Sequence, residues 1–178
     1  MYSIDELKQN SENEELFSNA VKESGLYLEW ASKQIQDNKQ IVLEAVKQNA
    51  GALEFASDRL KGDKEILLES VQNVGWVICY ASEELKNDKQ IVMQAVKNDG
   101  QALYYASKEL RDDKEVVLEA VKNKAIIIKY ASLAARSDIN IAITALKQNP
   151  KTMSYVKGCL NPEILENDEI QKILNPEQ

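Results

Sequence analysis

Shifted by 25 residues, this chain matches itself. Val21, Val46, Val71, Val96 and Val121 share one column, with Leu146 in sixth place. Five Ala-Ser pairs follow at the same interval: Ala31-Ser32, Ala56-Ser57, Ala81-Ser82, Ala106-Ser107 and Ala131-Ser132. A period of this length, held over about 150 residues, predicts a stacked array of short elements, not a globule around one central site.

Residues 63–87 serve as the type repeat. Asp63 stands in the column Asn13, Asn38, Asp63, Asp88, Asp113, Asp138. Asn and Asp favour helix N-caps because a side-chain oxygen accepts a backbone N–H of the first turn. The segment from Lys64 to Asn73 is therefore a first helix, with Ile66, Leu67, Leu68, Ser70 and Val71 on a wide buried face. A break is expected at Gly75, whose column reads Gly25, Ala50, Gly75, Gly100, Ala125 and Pro150. A second helix is expected from Trp76 to Lys86, burying Val77, Ile78, Ala81 and Leu85. The aromatic column Trp30, Phe55, Tyr80, Tyr105, Tyr130, Tyr155 borders that face.

The expected fold class is all-α: an α/α solenoid of about six 25-residue helix-turn-helix repeats, with short capping helices at both ends. One domain over 1–178 is expected, with an N-terminal cap in 1–12, repeats in 13–161 and a C-terminal cap in 162–178. Ser11 with Glu14 fits a capping box before the first array helix. Pro162 suits the first turn of a helix, Asp168 suits the cap of a last one carrying Ile170 and Ile173, and Pro176 ends it.

The half-motif at 113–122, Asp-Lys-Glu-Val-Val-Leu-Glu-Ala-Val-Lys, and the Gly-Gln-Ala-Leu-Tyr-Tyr-Ala-Ser segment at 100–107 carry a resemblance. Together they resemble the helical repeats of the family called domain of unknown function 4116, found in bacteria, protists and large viruses. The likeness runs from residue 13 to about 160, departing at Ala125 and Pro150, where the turn glycine is missing. Tetratricopeptide, ankyrin and HEAT-type repeats are longer than this period. The resemblance implies a helical array and brings no catalytic residues with it. Some members occur in effector proteins of intracellular bacteria, which implies a host protein as one kind of partner.

Charge and composition narrow the function classes. The formal net charge of -7 argues against a nucleic-acid backbone or an anionic membrane as partner. Arginine is confined to Arg59, Arg111 and Arg136, histidine is absent, and Cys79 and Cys159 form no metal or redox motif. No cofactor or metal is expected. There is no run of 18 apolar residues, and the polar start Met1-Tyr2-Ser3-Ile4-Asp5-Glu6 is unlike a signal peptide. The expected setting is cytoplasmic and reducing, or one reached by leaderless secretion.

Comparing the copies separates scaffold from exception. The Ala column reads as a close-packing point, and the adjacent Ser as a hydroxyl bonded to the preceding turn or the next loop. Lys39, Lys64, Lys89 and Lys114, with Lys61, Lys86, Arg111 and Arg136, make a basic edge that the Asp row is expected to neutralise. In the second helix the columns of Trp76, Cys79 and Glu83 should face outward, yet they hold apolar residues at Leu26, Trp76, Tyr104, Ile126 and Leu133. Leu26, Trp76, Cys79, Tyr104, Ile126 and Leu133 are therefore the candidate partner-binding residues. Two readings fit them: a protein interface, or burial by superhelical twist or a dimer contact. The expected function is a non-catalytic protein–protein interaction scaffold, of the effector type that the resemblance implies, existing as a monomer or weak homodimer. The alternatives are a self-associating structural protein and a regulator of an enzyme, with no activity of its own. An enzyme would need convergent polar residues breaking the repeat pattern inward, and the sequence offers none.

Overall fold

The computed structural model describes residues 2–160 and 162–174. Among the described residues there are helices and turns but no strand, so the chain is an all-α helical-repeat solenoid. Each repeat opens with a ten-residue α-helix: Glu14–Glu23, Lys39–Gln48, Lys64–Asn73, Lys89–Asn98, Lys114–Asn123 and Ile139–Gln148. All six N-caps fall on the predicted Asn and Asp column, and each side chain accepts first-turn N–H groups, as Asp63 does from Glu65 (3.0 Å) and Ile66 (3.3 Å). Ser11 is not the first cap; Asn13 is, and the Ser11 carbonyl accepts the Ser32 N–H instead (2.8 Å).

The second half of the repeat differs from the continuous helix expected over 76–86. Gly75–Tyr80 is a 3₁₀ helix, Ala81 is extended, and Glu83–Lys86 forms a separate single α-turn. The same division recurs as Gly25–Trp30 with Lys33–Gln36, Ala50–Phe55 with Asp58–Lys61, and Ala125–Tyr130 with Leu133–Arg136. After Gly100–Tyr105, residues 108–111 make a hydrogen-bonded turn. The physical cause of the break is the Ser. Its N–H leaves its own helix and donates to the preceding repeat: Ser57 to the Gln36 carbonyl (2.9 Å), Ser82 to Lys61 (3.3 Å), Ser107 to Lys86 (3.0 Å) and Ser132 to Arg111 (2.9 Å). Its hydroxyl oxygen then caps the following turn, accepting from Leu60 (3.2 Å) in one repeat and Ala135 (3.0 Å) in another.

The chain divides into two compact units, Met1–Leu85 and Lys86–Gln178. In the first, the helices from Glu14, Lys39 and Lys64 pack in succession, with the 3₁₀ elements forming a second layer. In the second, the helices from Lys89, Lys114 and Ile139 do the same. Of the predicted core of the type repeat, Ile66, Leu67, Ser70, Val71, Val77, Ile78, Ala81 and Leu85 are buried, while Leu68, at the edge of the helix face, is only half-buried. Ser70 holds a column otherwise filled by Ala, and stays satisfied by donating to the Ile66 carbonyl (2.8 Å).

Side chains tie neighbouring repeats together in each unit. The Gln48 amide reaches back to the preceding repeat, accepting from the Gly25 N–H (2.6 Å) and donating to the Glu23 carbonyl (3.2 Å). Asn123 does the same for Gly100 (2.9 Å) and Lys97 (3.1 Å). Lys39 pairs forward with Asp63 and Glu65, Lys89 with Asp113 and Glu115, and Lys114 with Asp138, all at 2.8 Å. The array is closed at one end by the helix Ile4–Gln9, capped by Ser3, with Leu7 fully buried. At the other, Pro162–Leu165 precedes Asp168–Leu174, whose Ile170 is buried. The cap of that last helix is Asn167, which accepts the Glu169 N–H (3.0 Å), so Asp168 is its first residue instead. The expected stop at Pro176 lies outside the described residues.

Candidate protein-binding surface

A 3₁₀ helix has three residues per turn, so side chains three apart eclipse one another. Trp76 with Cys79, Gln101 with Tyr104, and Ile126 with Lys129 therefore share one side of their own elements. That side faces solvent. Leu26 and Trp76 are each 42% exposed, Tyr104 is 52% and Leu133, on the following α-turn, is 64%. Cys79 in the first unit and Ile126 in the second are half-buried.

In the first unit Trp76 meets the Tyr80 ring edge-on, with centroids 5.9 Å apart, and the Tyr80 hydroxyl donates to Glu54 Oε2 (2.8 Å). Leu26 sits two repeats earlier at the equivalent position. In the second unit Tyr104 makes edge contacts with Tyr105 (5.0 Å) and with Tyr130 of the next repeat (4.8 Å). The Lys129 ammonium rests 4.7 Å from the Tyr130 ring centroid, within cation–π range. The result is a half-exposed tyrosine cluster held by ring-to-ring contacts.

Two clefts lie beside this surface at equivalent positions, one in each unit. Lys33, Gln36, Phe55, Ala56 and Ser57 line the first, joined at its rim by Glu29, Glu54, Asp58 and Lys61. Lys108, Arg111, Tyr130, Ala131 and Ser132 line the second, of about 330 Å³. The second set is the first displaced by three periods. Each cleft thus has its floor on the short turn of one repeat and its wall on the aromatic and Ala-Ser of the next.

Their electrostatics differ. Gln36 is buried and satisfied, donating to the Leu28 carbonyl (3.1 Å) and accepting from Lys33 Nζ (3.0 Å). Near it, the Ser57 hydroxyl donates to Asp37, and Arg59 Nε donates to both carboxylate oxygens of Asp37 (3.0 and 3.2 Å). Those two donors, Ser57 first, hold the Asp37 carboxyl below its ordinary range. Arg111, in the position of Gln36, has no such carboxylate. Its Nε is sealed from solvent and has no partner among the described residues. Asp112 accepts from the Ser132 hydroxyl instead, and Glu109 turns to its own backbone N–H and the Ser107 hydroxyl, which lower its carboxyl. The expected neutralisation of the basic edge by the Asp row therefore holds for Lys39, Lys89 and Lys114 and fails at Arg111 and Arg136, whose Nε atoms both lack a partner among the described residues. The clue in the sequence is the change along the column Gln36, Lys61, Lys86, Arg111, Arg136, which ends on guanidinium groups.

Among the described residues no group of three or more Cys, Asp and Glu side chains is placed to hold a metal ion, and no helix is long and apolar enough to cross a membrane. The sequence profile of the family described as Domain of unknown function (DUF4116) matches residues 13–61, 63–111, 93–134 and 113–157. Three of these matches begin on the N-caps Asn13, Asp63 and Asp113, so the family's unit spans two of the repeats described above. No curated protein and no solved structure matches the chain.

Proposed function

The chain belongs to the DUF4116 family, and on that premise we propose that it is a non-catalytic scaffold that binds a protein partner through the outward side of its 3₁₀ elements. The observation that carries this reading is the exposure of Leu26, Trp76, Tyr104 and Leu133 in columns that hold Gly, Gln, Glu, Lys or Asp in other repeats. Large apolar side chains kept in water where the scaffold accepts polar ones point to a surface covered by something else. Tyr and Trp are also the residues that most often anchor protein interfaces. The net charge of -7 favours a protein partner over nucleic acid or an anionic membrane. A cytoplasmic setting fits this reading, since Cys79 and Cys159 are both thiols.

The test is affinity capture with the wild type, Trp76→Ala, Tyr104→Ala and the double variant, followed by measured affinity for the recovered partner. Binding by the double variant should fall by tenfold or more, while Tm drops only about 2–4 °C for the lost ring contacts. Undiminished binding by the double variant overturns the proposal. Light scattering across a concentration series addresses the rival in which the partner is a second copy of this chain. A mass that doubles in the wild type and not in the double variant assigns the surface to self-association.

A further inference from the structure

The cleft over Arg111 says what kind of chemistry a partner brings. A guanidinium is charged at any physiological pH, and burying part of it without a counter-charge is costly. Arg59 is settled by a forked contact to Asp37, and Arg136, whose Nε also has no partner among the described residues, gives an Nη1 hydrogen bond to the Tyr155 carbonyl (3.1 Å). Neither Asp112, which takes the Ser132 hydroxyl, nor Glu109, which takes the Ser107 hydroxyl, is bonded to Arg111. Lys108 stands on the same cleft, and Lys129 lies against the Tyr130 ring that walls it. Two cations, Lys108 and Arg111, therefore line one cleft in a chain of net charge -7. Its walls, Tyr130 and Ala131, present apolar surface, and the half-exposed Tyr104 ring extends that wall.

We propose that this cleft is the docking site for an acidic segment of the protein partner, in which one Asp or Glu carboxylate is taken by Arg111 and a neighbouring apolar side chain lies on Tyr130 and Tyr104. The inference rests on the scaffold reading above and names the chemistry of its partner. A planar monoanionic carboxylate matches the two-pronged guanidinium. The equivalent cleft over Gln36 is an internal control: Gln36 is neutral and already hydrogen-bonded, and the carboxylates Glu29, Glu54 and Asp58 offset Lys33 and Lys61 around it.

The experiment titrates the full chain, followed by ¹H–¹⁵N spectra, with acetyl-Leu-Glu-Leu-amide, acetyl-Leu-Gln-Leu-amide and inorganic phosphate. Saturable shifts at Arg111, Tyr130 and Ser132, but not at Gln36 or Ser57, are expected with the Glu peptide alone. Arg111→Met should weaken that binding at least about tenfold, the loss that accompanies one charge-assisted forked contact, and Arg111→Lys should weaken it less. Because Met keeps the aliphatic packing and removes an unpaired charge, Tm of Arg111→Met should equal or exceed that of the wild type. Equal binding of the Gln peptide, tighter binding of phosphate at the same residues, no binding of either peptide, or a marked fall in Tm would each overturn the inference. If Tyr104→Ala releases the captured partner and Arg111→Met does not, the scaffold reading stands and the acidic segment falls. If the Glu peptide binds at Arg111 while the Trp76 and Tyr104 variants keep the partner, the earlier reading falls alone.

Discussion

Three N-cap carboxylates, Asp63, Asp113 and Asp138, each do two things at once. Asp63 accepts the N–H groups of Glu65 and Ile66, and it also receives Lys39 of the preceding repeat. Burial pushes its carboxyl up, but the Lys39 ammonium and the Ile66 N–H outweigh that and hold it below the ordinary range. Asp113 is placed alike against Lys89, and at Asp138 the Lys114 hydrogen bond is the largest influence. A carboxyl lowered by folding stabilises the protein above its unfolded pKa, and that contribution is lost as pH falls through the folded value. Lys39, Lys89 and Lys114 are raised, mainly by hydrogen bonds to those Asp residues, so their contribution is full below the unfolded lysine value and is lost as pH rises through the folded one. The urea midpoint should therefore be flat from about pH 6 to 9 and decline below about pH 4. Replacing Asp63, Asp113 and Asp138 together by Asn keeps caps of the kind that Asn13 and Asn38 already make. In that variant the acid decline should be shallower, and an unchanged slope between pH 4 and 2 would show that these carboxylates are not its source.

The element that the sequence did not disclose is the 3₁₀ segment. Buried residues at Val77, Ile78 and Ala81 follow a spacing that an α-helix and a short 3₁₀ helix share, so periodicity alone could not separate them. The break at Ala-Ser was equally hidden. A Ser inside an amphipathic pattern looks tolerated, whereas here its N–H bonds the preceding repeat. Closeness between repeats also explains the glycines at the start of these segments. No described residue has a positive φ, so backbone freedom is not the reason. A methyl on Gly25 would stand 2.1 Å from the Ala45 carbonyl oxygen, in the helix of the next repeat. Ala50 and Ala125 occupy the same column where the neighbouring backbone already allows for the methyl. Gly25→Ala should destabilise by about 1–3 kcal/mol, since the obstacle is backbone and not a side chain that can rotate away. Gly62→Ala, whose nearest neighbour would lie at 3.4 Å, should change stability by less than about 1 kcal/mol, in the stabilising direction. Urea denaturation of the two variants beside the wild type measures both; equal losses would mean that the contact at Gly25 relaxes freely. What was legible in the sequence was the constant part: caps, core columns and the outward positions of Trp76 and Tyr104. Arg111 and the amides of Gln48 and Asn123 were not, because a polar residue on a helix rim looks the same whether water or the next repeat satisfies it.

At the scale of the chain, almost every tie described above joins one repeat to its neighbour in sequence. The Ser57 N–H reaches Gln36, Gln48 reaches Gly25 and Glu23, and Lys39 reaches Asp63. None of these depends on a residue several repeats away, so stability within a unit should add up from single repeats and the interfaces between adjacent ones. The family matches, stepping by whole repeats from Asn13 to Asp63 to Asp113, show the same modularity in sequence. The consequence is that length is adjustable only in whole periods. Deleting 39–63 joins Asn38 to Lys64, so that Lys64 takes the place of Lys39, Asn73 that of Gln48 and Ser82 that of Ser57. The cap and the Ser rung are rebuilt; the lost forked contact of Arg59 is an exposed one, worth at most about 1 kcal/mol. Deleting 39–50 removes half a period and leaves the apolar face of the Glu14–Glu23 helix opposite a 3₁₀ segment out of register. The whole-period variant should keep its helical circular dichroism per residue and melt in one transition at a modestly lower Tm. The half-period variant should lose the cooperative transition. If both variants melt alike, the repeats are not held in register by the ties between neighbours, and the array owes its order to something other than its period.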